Sequence, residues 1–464
     1  MTDRDFQFHG IHWQSRWLLQ WAGAILFMAS TAQAGSQCAG TWAPMGPGFS
    51  HDIHTLAVHD DGSGLAAYVG GDFMGAGDRF LLRIARWDGS EWQSVDRGVN
   101  GPAHAILSHD DGSGAALFVA GRITQPIGGP PSNTVARLGA SGWTSLQPSP
   151  TDCFSTSAST CLTSYTIASE MISFDADANP RTPAELFVAG NFIRIGDLDA
   201  VGIAQWNGRE WSAVGSASDG TVVAILVHDD GSGEALYAIG NFDLPGMPNL
   251  RIARWNGTEW SAVGTDVPSI GSTMTVFNDG LGEKLYVSSA PAAGLYQWDG
   301  VTWSLVPGSP IGSILVMTVL DDGVEPALYV GGLFESTKGP EQYSLARFDG
   351  VDWQYIDDLN STVRHLLALD ATAIDGPALV AAGDFTQARG VPVNRLAIRR
   401  CNGTSDLTGD GIVDSRDLAF LLDAWSIPPD APGCAGVVPC AADINGDGLV
   451  NGFDLGILLS NWSP

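Results

Sequence analysis

Ile252-Ala-Arg-Trp255-Asn-Gly-Thr-Glu-Trp260 decides the fold of this chain. Two short segments ending and beginning in tryptophan flank Asn-Gly, a dipeptide that readily takes positive φ and folds a chain back on itself. The phrase returns as Ile84-Ala-Arg-Trp87-Asp-Gly-Ser-Glu-Trp92 and as Ile203-Ala-Gln-Trp206-Asn-Gly-Arg-Glu-Trp211. It returns again as Leu295-Tyr-Gln-Trp298-Asp-Gly-Val-Thr-Trp303 and Leu345-Ala-Arg-Phe348-Asp-Gly-Val-Asp-Trp353, with a weaker copy ending at Trp143. Upstream of each copy an apolar segment closes on glycine, as in Tyr68-Val-Gly-Gly-Asp-Phe73, Phe187-Val-Ala-Gly-Asn-Phe192 and Val380-Ala-Ala-Gly-Asp-Phe385. Before that stands a segment ending in Asp-Asp-Gly, at Asp60, Asp110, Asp229 and Asp321. Four short β segments therefore recur about every fifty residues, a period that belongs to propellers and solenoids. Four-stranded antiparallel blades around an axis are the simplest reading, giving a mainly β chain.

The number of blades follows from the ends. The last unit reaches Leu396-Ala-Ile-Arg-Arg-Cys401 and lacks its fourth segment, while Cys38-Ala-Gly-Thr-Trp42 places Trp42 one repeat before Trp92. The amino-terminal segment is therefore expected to supply the outer strand of the last blade and close a seven-bladed ring over residues 35–401. Placing Cys401 in the register of Trp87, with Cys38 four residues before Trp42, predicts a Cys38–Cys401 disulfide. A loop of that length would contribute about 4 to 5 kcal/mol on the chain-entropy model. Cys153 with Cys161 and Cys434 with Cys440 are the simplest remaining pairs, although six cysteines allow fifteen connectivities.

The last sixty residues repeat a different motif. Asp406-Leu-Thr-Gly-Asp-Gly-Ile-Val-Asp-Ser-Arg-Asp417 and Asp443-Ile-Asn-Gly-Asp-Gly-Leu-Val-Asn-Gly-Phe-Asp454 each carry oxygen donors at positions 1, 3, 5, 9 and 12, a carbonyl at 7 and glycine at 6. Calcium takes six to eight hard oxygens, and this spacing wraps them round one ion. The predicted ligands are Asp406, Thr408, Asp410, Ile412 (carbonyl), Asp414 and Asp417, then Asp443, Asn445, Asp447, Leu449 (carbonyl), Asn451 and Asp454. Two calcium ions are expected. An apolar helix should follow each loop, Leu418 to Trp425 and Leu455 to Trp462, the pair burying one stripe against the other.

This tail resembles a type I dockerin, with aspartate at the twelfth position and no helix before either loop. The resemblance implies a small α-helical calcium-folded domain over 402–464 and a cohesin-like or cell-surface anchoring partner, as in secreted bacterial dockerin-bearing proteins. Ser415-Arg416 and Gly452-Phe453, at the positions where dockerins read their partner, differ between the copies. The ring resembles kelch-type propellers in the glycine pair before a long loop and in its paired aromatics.

Bulk properties agree with export. Trp17 to Ala34 is an apolar stretch ending in Ala32-Gln33-Ala34, read as a signal peptide over 1–34, with a membrane anchor as the alternative. No later stretch could span a bilayer. Net charge is −29, from 51 acidic and 22 basic residues, which sets the chain against nucleic acid and anionic membranes.

No nucleophile elbow, zinc motif or phosphate loop is present. His51-Asp-Ile-His54 offers two imidazoles without further ligands, and His59, His109 and His228 precede equivalent turns, so they read as positional. The Asp-Asp-Gly-Ser-Gly runs read as turns and the ring tryptophans as packing. Function is placed on the face bearing the second-to-third strand loops, Met74 to Leu82, Thr124 to Thr134, Ile193 to Gly202 and Thr386 to Asn394. The surplus between Pro148 and Pro183 belongs there too. The chain reads as an exported binding or scaffold protein whose propeller holds a polysaccharide or protein. The alternatives are a glycoside hydrolase or lyase, or a purely structural surface protein.

Overall fold

The computed structural model describes residues 42–132, 134–146, 154–155, 168–175, 183–215, 219–244, 247–264, 270–289, 294–321, 326–337, 339–356, 358–369, 377–400, 413, 415–425, 450, 452–460 and 462. All of them fall in the second of two compact units, Ser36–Pro464. Residues 1–34, where a signal peptide is expected, and all six cysteines lie outside the described residues.

Seven four-stranded antiparallel sheets form the chain's core. Blade 1 runs, from the axis outward, Ile53–Asp60, Leu65–Gly71, Ile84–Trp87 and Trp92–Ser94. Blades 2 to 6 repeat it, with inner strands Ala103–Asp110, Ala168–Phe174, Asp219–Asp229, Ile270–Asn278 and Ile311–Asp321. Blade 7 is built from Val363–Leu369, Ala378–Gly383, Leu396–Arg400 and the amino-terminal Trp42–Pro44. Each inner strand packs beside the next, and that of blade 7 packs beside that of blade 1, so the ring is closed. The second strand of each blade is covered on both faces by neighbouring blades. Such strands read as continuous apolar runs, and Ala66 to Gly71, Ala116 to Gly121 and Ala378 to Gly383 are buried at every residue.

The local chemistry explains the repeat. In the hairpin of blade 1, Asp88 Oδ1 accepts the N–H groups of Ser90 and Glu91, and Gly89 takes φ 101°, setting Trp87 directly opposite Trp92. Four of the outer tryptophans then bond the preceding blade. The indole N–H groups of Trp92, Trp211, Trp260 and Trp303 donate to the carbonyls of Met45, Leu146, Val214 and Val263 at 2.8, 3.1, 2.9 and 3.0 Å. At three of the four carbonyls the next residue is glycine, Gly46, Gly215 or Gly264, and it makes room: a Cβ on Gly215 would stand 2.4 Å from Trp260 Cδ1. The tryptophans are thus blade-to-blade packing, as their register implied.

Two expectations are corrected. The pairing Trp42↔Arg399 puts Arg399, not Cys401, in the position of Trp87, because Leu396 aligns with Ile84 against the second strand. The aromatic partner of Trp42 is replaced by an ion pair, with Asp358 accepting from Trp42 Nε1 at 3.0 Å and lying 3.5 Å from Arg399. The Pro148 to Pro183 surplus is also not one loop. It contains the inner strand of blade 3, Ala168–Phe174, which carries no Asp-Asp-Gly signal at its end. Ahead of it Phe154–Ser155 pairs with Arg194–Ile195, and Phe154 seats edge-on against Phe192 and Trp211.

In the tail, helices Ser415–Trp425 and Gly452–Ser460 meet through the fully buried Leu421 and Leu458. Leu422 and Leu459 are 48 and 51 % exposed, and Trp425 and Trp462 both 37 %, so the shared stripe is narrower than the sequence implied. Their matched exposure reflects the internal repeat.

Candidate functional site at the loop-side mouth

The carboxylates of the Asp-Asp-Gly-Ser-Gly runs are engaged in turns, as the sequence implied. Asp60 Oδ1 accepts the N–H groups of Gly62 and Gly64, and Asp61 takes Ser63, the Tyr68 hydroxyl and Arg86. Asp110 and Asp111, and Asp229 and Asp230, make corresponding turn bonds in blades 2 and 4. Among the described residues no group of three His, Cys, Asp or Glu could hold a metal ion. His59 and His109 are buried, bond Ser108 and Ser173 on the next inner strand, and are held below the usual histidine range by desolvation. His228 is buried and lowered for the same reason. These histidines are structural.

His51 and His54 part company. His51 is exposed on Ser50, whereas His54 belongs to an inner strand and opens a cluster that sequence reading missed. The inner strands of blades 1, 2, 3, 4, 6 and 7 each carry a β-bulge near their start, at His54, His104, Ser169, Val223, Leu315 and Arg364. A bulge re-aims one side chain out of the ladder. Beside it stands the residue after the strand-closing glycine: Asp72, Arg122, Asn191, Asn241, Leu333 and Asp384. Charged and titratable residues thus gather on blades 7, 1 and 2, and neutral ones on blades 3, 4 and 6.

Within the charged part, Arg364 grips Asp384 through two bonds of 2.9 and 2.8 Å, and Arg395 bonds Asp52. His54 Nε2 lies 3.3 Å from Asp72, and its ring stacks on His104 at 4.6 Å. Desolvation, with His54 and Arg122 adding to it, pushes His104 down to about 4. Desolvation followed by His54, Arg364 and His104 takes His365 to about 3. Both imidazoles are neutral at pH 7. On blade 3, Glu170 has some accessible surface, but its carboxyl is enclosed and pushed up to about 7 by desolvation. It accepts the Ile225 N–H of blade 4 at 2.7 Å, the same blade-to-blade bond that Thr55 makes to Ile106.

A cleft of about 250 Å³ opens on this face between blades 7 and 1, lined among others by Ser50, Thr386, Asn394 and Arg395. Asn394 and Arg395 take φ of 42° and 76°, a conformation costing a side-chain-bearing residue about 1–2 kcal/mol.

For the calcium loops, Asp417 is the one predicted ligand whose side chain is described. It is fully buried in the first turn of its helix, where a carboxylate suits both the helix dipole and the twelfth loop position. The all-oxygen donor set fits calcium. Asp406, Thr408, Asp410, Ile412, Asp414, Asp443, Asn445, Asp447, Leu449 and Asn451 lie outside the described residues, as does the side chain of Asp454.

Residues 404–461 match the family model of the dockerin type I domain. The dockerin segment and the β-propeller together account for the described chain. Dockerin domains bind calcium and cohesins, and dockerin-bearing proteins are typically extracellular or on the cell surface. No curated protein matches the chain. Among solved structures it is similar to YCF48 bound to D1 peptide, at 12 % identity and TM-score 0.42 over 77 % of this chain and 94 % of that one. YCF48 from Cyanidioschyzon merolae gives 12 % and 0.42, over 78 % and 98 % of the two chains. An ancestral GH74 enzyme gives 13 % and 0.32, over 77 % and 61 %. At such scores the fold rests on the closed ring of sheets itself. No described helix is long and apolar enough to cross a membrane.

Proposed function

We propose that this chain is an exported binding or scaffold component, with the loop-side face of the propeller holding a polysaccharide or protein and the dockerin segment docking it to a cohesin-like or cell-surface partner. The observation that carries the reading is the dockerin match at the end of a closed propeller ring. In this reading residues 1–34 are a leader, 35–401 the propeller and 402–464 the docking domain. The tail folds around two calcium ions held by the twelve loop ligands named above. Export also accommodates disulfides, Cys38–Cys401, Cys153–Cys161 and Cys434–Cys440, in an oxidising compartment.

One observation favours a glycoside hydrolase or lyase instead: an enclosed carboxyl raised to about 7, Glu170, is what a general acid needs. Its position argues the other way, since Thr55 makes the same blade-to-blade bond. Binding is therefore the first reading.

The test uses the full chain. Calorimetry is expected to show two calcium ions per molecule, and immobilised cohesins or cell-wall fractions should capture the protein in calcium and release it in chelator. Capture that survives chelation, or an Asp410→Ala, Asp447→Ala double variant that still takes up two ions, would sink the reading.

A further inference from the structure

The cleft between blades 7 and 1 is built at some expense. Gly48 and Asn394 approach so closely that a Cβ on Gly48 would lie 2.2 Å from Asn394 Cβ. The backbone site of Arg395 recurs in blades 1, 2 and 3, where Arg83, Thr134 and Gly202 make the same pair of strand-end hydrogen bonds. Blade 3 meets the left-handed conformation with glycine, which pays no steric penalty there. Blade 7 keeps arginine, and its guanidinium lines the cleft and bonds Asp52. Blades 1 and 2 carry the same strain at Arg83 and Thr134, and what sets Arg395 apart is that its guanidinium faces an opening.

The electrostatics select the ligand. Around the mouth, Asp52, Asp72 and Asp384 face Arg122, Arg364 and Arg395, so the charges balance, and His104 and His365 are neutral at pH 7. A balanced site has no net pull on an ion, and the surrounding chain, at −29, repels acids. Paired guanidinium and carboxylate groups nevertheless keep spare N–H donors and lone pairs, since arginine has five N–H groups and a carboxylate about four acceptor sites. A hydroxyl, both donor and acceptor, can bridge them. Ser50, Thr386 and Asn394 add uncharged polar atoms to the same wall. About 250 Å³ is below the roughly 300–1,000 Å³ of a drug-sized site and suits a single ring.

We propose that this cleft receives one sugar ring of an uncharged glycan, with Arg395 and Asn394 as its main polar contacts. The inference rests on the binding reading above and deepens it.

The experiment is calorimetric titration of the full chain with neutral gluco-, xylo- and manno-oligosaccharides and, separately, with oligogalacturonate. At least one neutral series is expected to bind, with an affinity that is flat between about 50 and 500 mM salt, because screening acts on charged partners. Arg395→Gly should weaken it tenfold or more while keeping the parent's melting temperature, since glycine suits that φ. Arg83→Gly, the same backbone change on blade 1, should leave it unchanged. Preference for oligogalacturonate, salt-sensitive binding, or parental affinity in Arg395→Gly overturns the inference. Failure to bind any saccharide overturns it too, while calcium-dependent capture by an anchoring partner would still uphold the wider reading.

Discussion

Single residues in this molecule carry opposite pH dependences. Glu170 has a folded pKa near 7 against 4.5 when free, so above 4.5 the unfolded chain releases a proton that the folded chain retains. Its contribution to stability therefore falls as pH rises from 4.5 to 7. His365 and His104 act at the other end: from 6.5 downward the unfolded chain takes up protons that the folded imidazoles refuse until about 3 and 4. Stability falls across that acid window. Glu170→Gln keeps an acceptor for Ile225 and should raise stability at pH 8 by on the order of 1–3 kcal/mol, with the gain gone by pH 4. His365→Gln should instead flatten the loss between pH 6 and 4. Denaturant melts across pH test both, and a pH-independent effect of either variant would contradict the burial that explains them.

At the scale of the strand, packing between blades is set by the repeated tryptophan, carbonyl and glycine. Gly215 sits at φ 72° with Trp260 Cδ1 where its Cβ would go, so Gly215→Ala combines overpacking with backbone strain. A loss of roughly 2–4 kcal/mol is expected, read as a lower midpoint in urea. Gly231, at φ 93° but with open space around it, should lose only the backbone part when changed to alanine. Equal losses at the two positions would show that strain alone acts. These elements were legible beforehand, because each strand and hairpin announces itself in a local phrase such as Trp87-Asp-Gly-Ser-Glu-Trp92. The bulges were not, since a bulge is a relation between two strands and leaves no fixed residue type: His54, Ser169, Val223 and Arg364 all occupy one.

For the whole molecule, closure depends on three residues at the front of the chain. Trp42–Pro44 complete blade 7, and Trp42 also ties to Asp358 of the blade before it. Deleting 36–45 exposes the edge of Leu396–Arg400 and removes the Met45 carbonyl that holds Trp92. An unpaired edge is a template for association. The truncated protein should melt lower and form oligomers by light scattering. A monomer with the parental melting temperature would mean the ring does not need its clasp.

The sequence by itself determined the blade, its turns, the sevenfold count and the dockerin tail, because each is written in contacts between residues close along the chain and then repeated. It pointed to the loop-rich face but not to the site. Only the closed ring brings Arg395 to Asp52, 343 residues away, and sets His54 against His104 and His365 from neighbouring blades. A repeat makes its framework visible by repetition, and the residues that break the pattern, such as Asp72, Arg122 and Asp384 after their glycines, acquire meaning only when closure stands them side by side.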